Sequence, residues 1–256
     1  MDKVGCYEFA AEPFHCDFSH RLFPGHLGNH LLNAADFHSA ARGFGMPTLN
    51  PLHKTWVLSR LAIEMTQMPR QYTRFTVETW IKSAKRFFTD RNFRIADSET
   101  GDTLGYGRSV WAMIDTDTRQ PQDITTAADR AIMQWVEPDK TCPIEAPSRV
   151  KVGNNAELAS TISAKYSDID VNGHVNSIKY IEHVLDLFDT DWLAAHDIHR
   201  IDIAYVAESR YGDRLSLYRE MTADDGCCVR ITKQTNDGDE TEVCRCRITF
   251  NDTSTN

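Results

Sequence analysis

The chain has 256 residues, 41% hydrophobic and 25% charged, with a formal net charge of −9: a globular composition with room for one large domain or two of ordinary size. That acidic balance argues against a nucleic-acid partner, which would call for a basic domain, and leaves an acidic protein partner open because binding depends on local patches. No stretch approaches the roughly 18 apolar residues of a membrane span, and the start MDKVGCYEFAAEPFHCDF lacks the apolar core of a signal peptide, so the chain reads as cytoplasmic with no membrane partner.

FSHRLFPGHLGN (residues 18–29) leads into a helical stripe of Leu27, Leu31, Ala34 and Ala41, which the Gly43 to Gly45 region ends. Four strand-like segments follow, TWVLSRLAIEM, RFTVETWI, FFTDRNFRIAD and TLGYGRSVWAMID, rich in β-branched and aromatic residues. The stretch IKSAKRFFTDRNFR concentrates Lys82, Lys85, Arg86, Arg91 and Arg94 against a single Asp90. Solvated charges on strand edges are the plainer account of this run, and a patch for an acidic partner the sharper one.

From about Gln120 to Glu157, Pro121, Pro138, Pro143 and Pro147 interrupt a weak pattern, which predicts a linker holding a short helix around Ala127 to Trp135. YSDIDVNGHVNS (residues 166–177) then opens a second helix striped by Ile178, Ile181, Leu185 and Phe188. Four more strands come after it: RIDIAYVAE, RLSLYREM, CVRITKQT and TEVCRCRITF. SETGDT and NDGDE read as hairpin turns around Gly101 and Gly238. Seven cysteines without zinc-ribbon spacing suit reduced thiols; Cys244 and Cys246 share a strand face with Ile248 and Phe250, and nothing marks Cys227 or Cys228 as a nucleophile.

The two helix–strand runs suggest an internal repeat. Laying His26 on His174 aligns FSHRLFPGHLGN with YSDIDVNGHVNS, and laying Glu64 on Glu208 aligns the strands that follow. The expected architecture is α+β, a tandem hotdog fold with two helix-wrapped antiparallel sheets joined edge to edge. Its domains are residues 1–140 and 158–256, with the linker at about 120–157.

Asp168, Asp170, Asn172, His174 and Asn176 form the densest run of catalytic residue types, just before a helix whose N-terminal N–H groups suit an anion. Such a run also makes ordinary turns and N-caps. In the aligned first copy Leu22 and Pro24 replace Asp170 and Asn172, which suggests one active half and one degenerate half. Glu208 ends an otherwise apolar strand and is the second candidate, although Glu64 matches it in the first copy. His26 and His30 lack a third metal ligand, and there is no nucleophile elbow, P-loop or dinucleotide fingerprint.

YSDIDVNGHVNSIKYIEHVLD closely resembles the signature of the acyl-acyl carrier protein thioesterases of the plant type and their bacterial relatives, with its Asp-x-Asn-x-His, Val-Asn and Lys-Tyr-Ile runs. TWVLSRLAIEM, GRSVWAMIDTDTRQPQ and AYVAESRYGD extend the likeness over most of both halves. The resemblance implies a double hotdog, hydrolysis of fatty acyl-acyl carrier protein, and an acyl pocket mainly in the N-terminal half. It also implies Asp170, Asn172, His174 and Glu208 as the catalytic set. Many members carry Cys after the glutamate; Ser209 stands there, so cysteine catalysis at that position is excluded.

Asn176 and Ser209 beside that set, and Trp56 and Met65 in the acyl pocket, are the expected substrate contacts. The expected mechanism holds the thioester carbonyl over a helix beginning near His174, with backbone N–H groups binding the oxyanion. Asn172 positions the carbonyl or the attacking group, Asp170 is general base or nucleophile, and His174 and Glu208 manage protons. No metal or organic cofactor is required. An acyl-CoA thioesterase and a non-catalytic acyl-binding regulator are the alternatives, and a homodimer stays open.

Overall fold

The computed structural model describes residues 2–223, 226–234 and 238–252. The chain divides into two compact units, Met1–Ala146 and Pro147–Asn256. The first contains β1 (Gly5–Ala10), α1 (Pro24–Ala40), α2 (Met46–Leu49), β2 (Lys54–Met65), β3 (Arg74–Ala84), β4 (Phe88–Asp97) and β5 (Thr103–Asp115). Its antiparallel strands lie in the order β1-β3-β4-β5-β2. The second contains β6 (Glu157–Ser163), α3 (Ser177–Leu185), α4 (Thr190–Ala195), β7 (His196–Tyr205), β8 (Arg214–Met221), β9 (Cys227–Gln234) and β10 (Glu240–Asp252). Its order, β6-β8-β9-β10-β7, repeats the same plan. Each unit is an α+β hotdog.

The helices form where apolar spacing requires a buried stripe. Leu27, Leu31, Ala34 and Ala35 of α1 are buried, and the helix packs on β1 and β3. Gly107 on β5 permits close approach: a Cβ there would lie 3.2 Å from Leu31 Cδ1. In α3, Ile178, Ile181 and Leu185 are buried, whereas Phe188 lies past its end and stacks on Trp192 of α4. The alternating pattern of β10 buries Cys244, Cys246, Ile248 and Phe250 together, and burial holds the Cys244 and Cys246 thiols well above their usual range.

Three expectations need correcting. Each unit has a fifth strand before its helix: β1 and β6 are short edge strands whose weak burial alternation hides them in the sequence. The helix expected near His174 begins at Ser177, because Asn176 caps it by accepting from the Ile178 N–H at 2.9 Å. The expected linker is largely a strap of the first unit. Ile124, with Ala127 and Ile132 of its 3-10 helix Ala127–Trp135, joins a buried cluster with Phe44, Leu49, Ile81 and Met113. Trp80 Nε1 donates to the Lys140 carbonyl, and Arg108 to the Ile144 carbonyl.

The basic run is mostly consumed within its own unit. Arg91 is buried, donating to Thr79 Oγ1 at 3.1 Å and Ser39 Oγ at 2.9 Å, and burial pushes its pKa down to about 9. Arg94 pairs with Glu78, Arg86 with Asp123, and Lys82 donates to the Pro138 carbonyl. Lys85 remains exposed. Residues 236 and 237 of the expected NDGDE turn lie outside the described residues.

Candidate active site

In the second unit an isolated antiparallel bridge, Ile169 to Val175, closes a tight turn. Asp170 N–H donates to the His174 carbonyl at 2.8 Å, and Gly173 N–H returns to the Asp170 carbonyl at 3.0 Å. The Asp170 carboxylate fastens the turn from within, its Oδ1 accepting from the N–H groups of Asn172 at 2.8 Å and His174 at 3.2 Å. Gly173 has φ +78°, a left-handed conformation that costs glycine little. The turn thus projects Asp170, Asn172 and His174 from one short piece of backbone.

Glu208 does not end a strand as expected. Strand β7 stops at Tyr205, and Glu208 lies in the loop beyond it, where Val206 and Ala207 N–H groups still donate to the Val243 carbonyl. That loop is tied to the turn by Val175 N–H donating to the Ser209 carbonyl at 2.8 Å. Glu208 Oε2 consequently reaches His174 Nε2 at 3.2 Å. A carboxylate only accepts, so Nε2 is the donor in this pairing, and in the neutral ring Nδ1 is then the acceptor.

The other expected contacts separate into two groups. Asn176 is the helix cap. Ser209 is fully buried, with Tyr180 beside it on α3. Trp56 and Met65 both belong to β2 of the first unit: Trp56 Nε1 donates to the Phe44 carbonyl at 2.8 Å, and Met65 fills the space beside Gly105. Below the turn, Asp168 of the polar run is buried, accepts from Lys165 N–H at 2.6 Å and faces His183 at 3.5 Å, a partner that the sequence pattern did not single out.

Most of the backbone donors around the start of α3 are already engaged. The N–H groups of Asn172, Gly173, His174, Val175, Asn176, Ile178 and Lys179 all donate within the protein. A backbone donor already hydrogen-bonded has little left for a developing charge. The Asn172 amide is held more loosely, Nδ2 lying 3.5 Å from Asp170 Oδ2, and its residue is exposed.

The first unit contains the same turn in a register the sequence alignment missed. Asp17 N–H donates to Arg21 O at 2.8 Å and His20 N–H to Asp17 O at 3.0 Å, while Asp17 Oδ1 accepts from Ser19 and Arg21 N–H. Leu22 N–H donates to Pro69 O, as Val175 does to Ser209 O. Asp17 therefore matches Asp170, and Ser19, Arg21 and Met68 occupy the places of Asn172, His174 and Glu208. Laying His26 on His174 and Glu64 on Glu208 is corrected accordingly: the Asp-x-Ser of the first copy, not its Gly-His, answers the Asp-x-Asn of the second. Leu22 and Pro24 do not replace polar turn residues.

Residues 7–130 match the Acyl-ACP thioesterase N-terminal domain family and residues 153–252 the C-terminal domain family. The fold is similar to that of an acyl-ACP thioesterase from Bacteroides thetaiotaomicron, with 50% identity, a TM-score of 0.87 and coverage of 97% of this chain and 98% of that one. The 12:0-ACP thioesterase from Umbellularia californica shares the fold at 20% identity, with a TM-score of 0.86 and 99% of each chain covered. An oleoyl-acyl carrier protein thioesterase of Coriandrum sativum, described as chloroplastic, is 26% identical over 82% of this chain. A second from Arabidopsis thaliana is 30% identical over 65% of it. This chain spans 60% and 47% of the lengths of these two plant relatives. With both domain families matched in order along its two units, the chain belongs to the acyl-ACP thioesterase family.

Proposed function

We propose that this chain hydrolyses the thioester of fatty acyl-acyl carrier protein, releasing free fatty acid and ending chain elongation. The observation that carries the reading is the convergence of Asp170, Asn172, His174 and Glu208 on one turn and its tied loop, with His174 and Glu208 3.2 Å apart. Family membership supplies the substrate class, and the reaction is assigned to the cytoplasm, whose reducing conditions suit the seven free cysteines.

In this reading the thioester carbonyl approaches Asn172, whose amide donates to the oxyanion as charge develops. Asp170 either draws the proton from an attacking water or attacks directly, expelling the thiolate and leaving an acyl anhydride that water then cleaves. Asp170 Oδ1 is committed to two backbone donors, which leaves Oδ2 for the reaction. His174, oriented by Glu208, accepts a proton at Nδ1 and delivers it to the departing thiolate. The turn of the first unit keeps the aspartate but has Ser19, Arg21 and Met68 in the other three places, so the chemistry is assigned to the second unit. The test is release of fatty acid from acyl-acyl carrier proteins and matching acyl-CoAs by wild type and His174→Ala. Faster turnover of the carrier substrates, lost in the variant, is expected. Better use of CoA would replace the named partner, and binding without release would move the protein to the acyl-binding regulators.

A further inference from the structure

The segments framing the turn, residues 164–176 and 206–214, are stitched into one lip. Ala164 N–H donates to Asp213 O at 2.9 Å, Gly212 N–H to Ala164 O at 3.0 Å, and Val175 N–H to Ser209 O at 2.8 Å. Ser163 of β6 pairs with Arg214 of β8 at the same margin. Apolar side chains stand out of this lip: Tyr166 is 89% exposed, Val171 92% and Tyr211 71%. Lys165, Arg210 and Arg214 are exposed beside them, and among the described residues none of the three has an ion-pair partner.

The acidic groups of the lip are engaged. Asp168 is buried against Lys165 N–H and His183, Asp170 closes its turn, and Glu208 holds His174. Asp213 pairs with Lys233 at 3.6 Å and accepts from Arg210 N–H at 2.9 Å. A chain with a net charge of −9 therefore displays unmatched cations, interleaved with aromatic rings, at the mouth of its candidate site. Unmatched positive charge steers an acidic partner, and exposed Tyr and Arg are the side-chain types that anchor protein interfaces. The basic run of residues 82–94 is a weaker candidate, since Arg91 is buried, Arg94, Arg86 and Lys82 are engaged, and only Lys85 stays exposed.

We propose that the lip formed by Lys165, Tyr166, Arg210, Tyr211 and Arg214 is the docking surface for the acidic face of the acyl carrier protein. The assignment rests on the proposed function and adds the place where the partner sits. Its test compares wild type with a Lys165→Glu/Arg210→Glu/Arg214→Glu variant on two substrates, an acyl-acyl carrier protein and the same acyl group on pantetheine alone. The expected result is a KM for the carrier substrate raised roughly tenfold or more at low salt, with acyl-pantetheine turnover unchanged. The wild-type KM should also climb with salt while that of the variant stays flat. An unchanged KM for the carrier substrate overturns the docking surface and leaves the thioesterase reading standing. A wild type that hydrolyses neither substrate overturns the thioesterase reading, and the docking surface with it. Should the triple reversal lose acyl-pantetheine turnover as well, the charge-neutral Lys165→Gln/Arg210→Gln/Arg214→Gln variant is read by the same criteria.

Discussion

Ser19 and Asn172 occupy the same place in two copies of one turn, but their side chains are committed differently. Ser19 Oγ is bound up locally, donating to Asp17 Oδ1 at 2.5 Å and accepting from Arg21 Nε at 2.9 Å, whereas the Asn172 amide is loosely held. Replacing Asn172 by Ala should therefore lower kcat about 10²- to 10³-fold with little change in KM, the signature of a donor used only as charge develops. Steady-state kinetics on an acyl-acyl carrier protein check this; a rise in KM at constant kcat would assign Asn172 to ground-state binding instead.

A second residue-scale consequence concerns pH. His38 is fully buried, donates from Nε2 to the Lys3 carbonyl at 3.0 Å, and leaves Nδ1 buried with no hydrogen-bond partner. Burial, reinforced by the Arg91 and Arg42 charges, pushes its pKa down to about 3, and burial with His15 and His26 nearby pushes His30 down to about 4. Unfolded histidine takes up a proton near pH 6.5, so the unfolded state binds more protons across the interval below that value. The stability these neutral rings contribute is complete above about pH 6.5 and is lost as pH falls, toward about 4 for His30 and about 3 for His38, by an amount on the order of a few kcal/mol. Thermal melts should show Tm dropping between about pH 7 and about pH 5, and a His38→Gln variant should drop less steeply.

At the scale of elements, the helical stripes were legible because burial forces a period near 3.6 on any helix that packs by one face. The edge strands β1 and β6 were not, since a strand half open to solvent needs no strict alternation. Catalytic residue types were visible in the sequence as a cluster, but their roles depended on where the helix begins, and Asn176 settles that at Ser177. The repeat was legible, but its register was not. Gly-His catches the eye in both copies, while the match that matters is a carboxylate receiving two backbone N–H groups. The paired turns yield a direct comparison: Asp17→Asn and Asp170→Asn remove the same charge from the same fastening. Turnover should fall by about 10²-fold or more in Asp170→Asn and stay near wild type in Asp17→Asn, while Tm changes similarly in both. Equal turnover in the two variants would remove Asp170 from the chemistry.

At the scale of the whole molecule, the two-unit plan followed from repetition of helix and strands, but the boundary was blurred by the proline-rich stretch. Prolines punctuate regular structure without revealing whether the chain between them is loose or packed. Here much of it is packed: Ile132 is 2% exposed within the cluster around Phe44 and Met113. Ile132→Ala should cost about 2–5 kcal/mol through lost burial and the cavity left behind. A denaturant melt measures the cost, and turnover by the folded fraction should be unaffected. A loss well under 1 kcal/mol would return the stretch to the status of a tether.

The turn of the first unit has a consequence for how such a chain could be re-engineered. Its backbone bonds duplicate those of the turn bearing Asp170, and His20 at φ +59° even reproduces the handedness of Gly173. Catalytic furniture is thus detachable from its frame: Ser19→Asn, Arg21→His and Met68→Glu would transplant three side chains into a scaffold already bent to receive them. The two turns share one backbone plan and one aspartate and differ in the other three side chains, so the exchanged chain would measure how much of the proposed chemistry resides in those three.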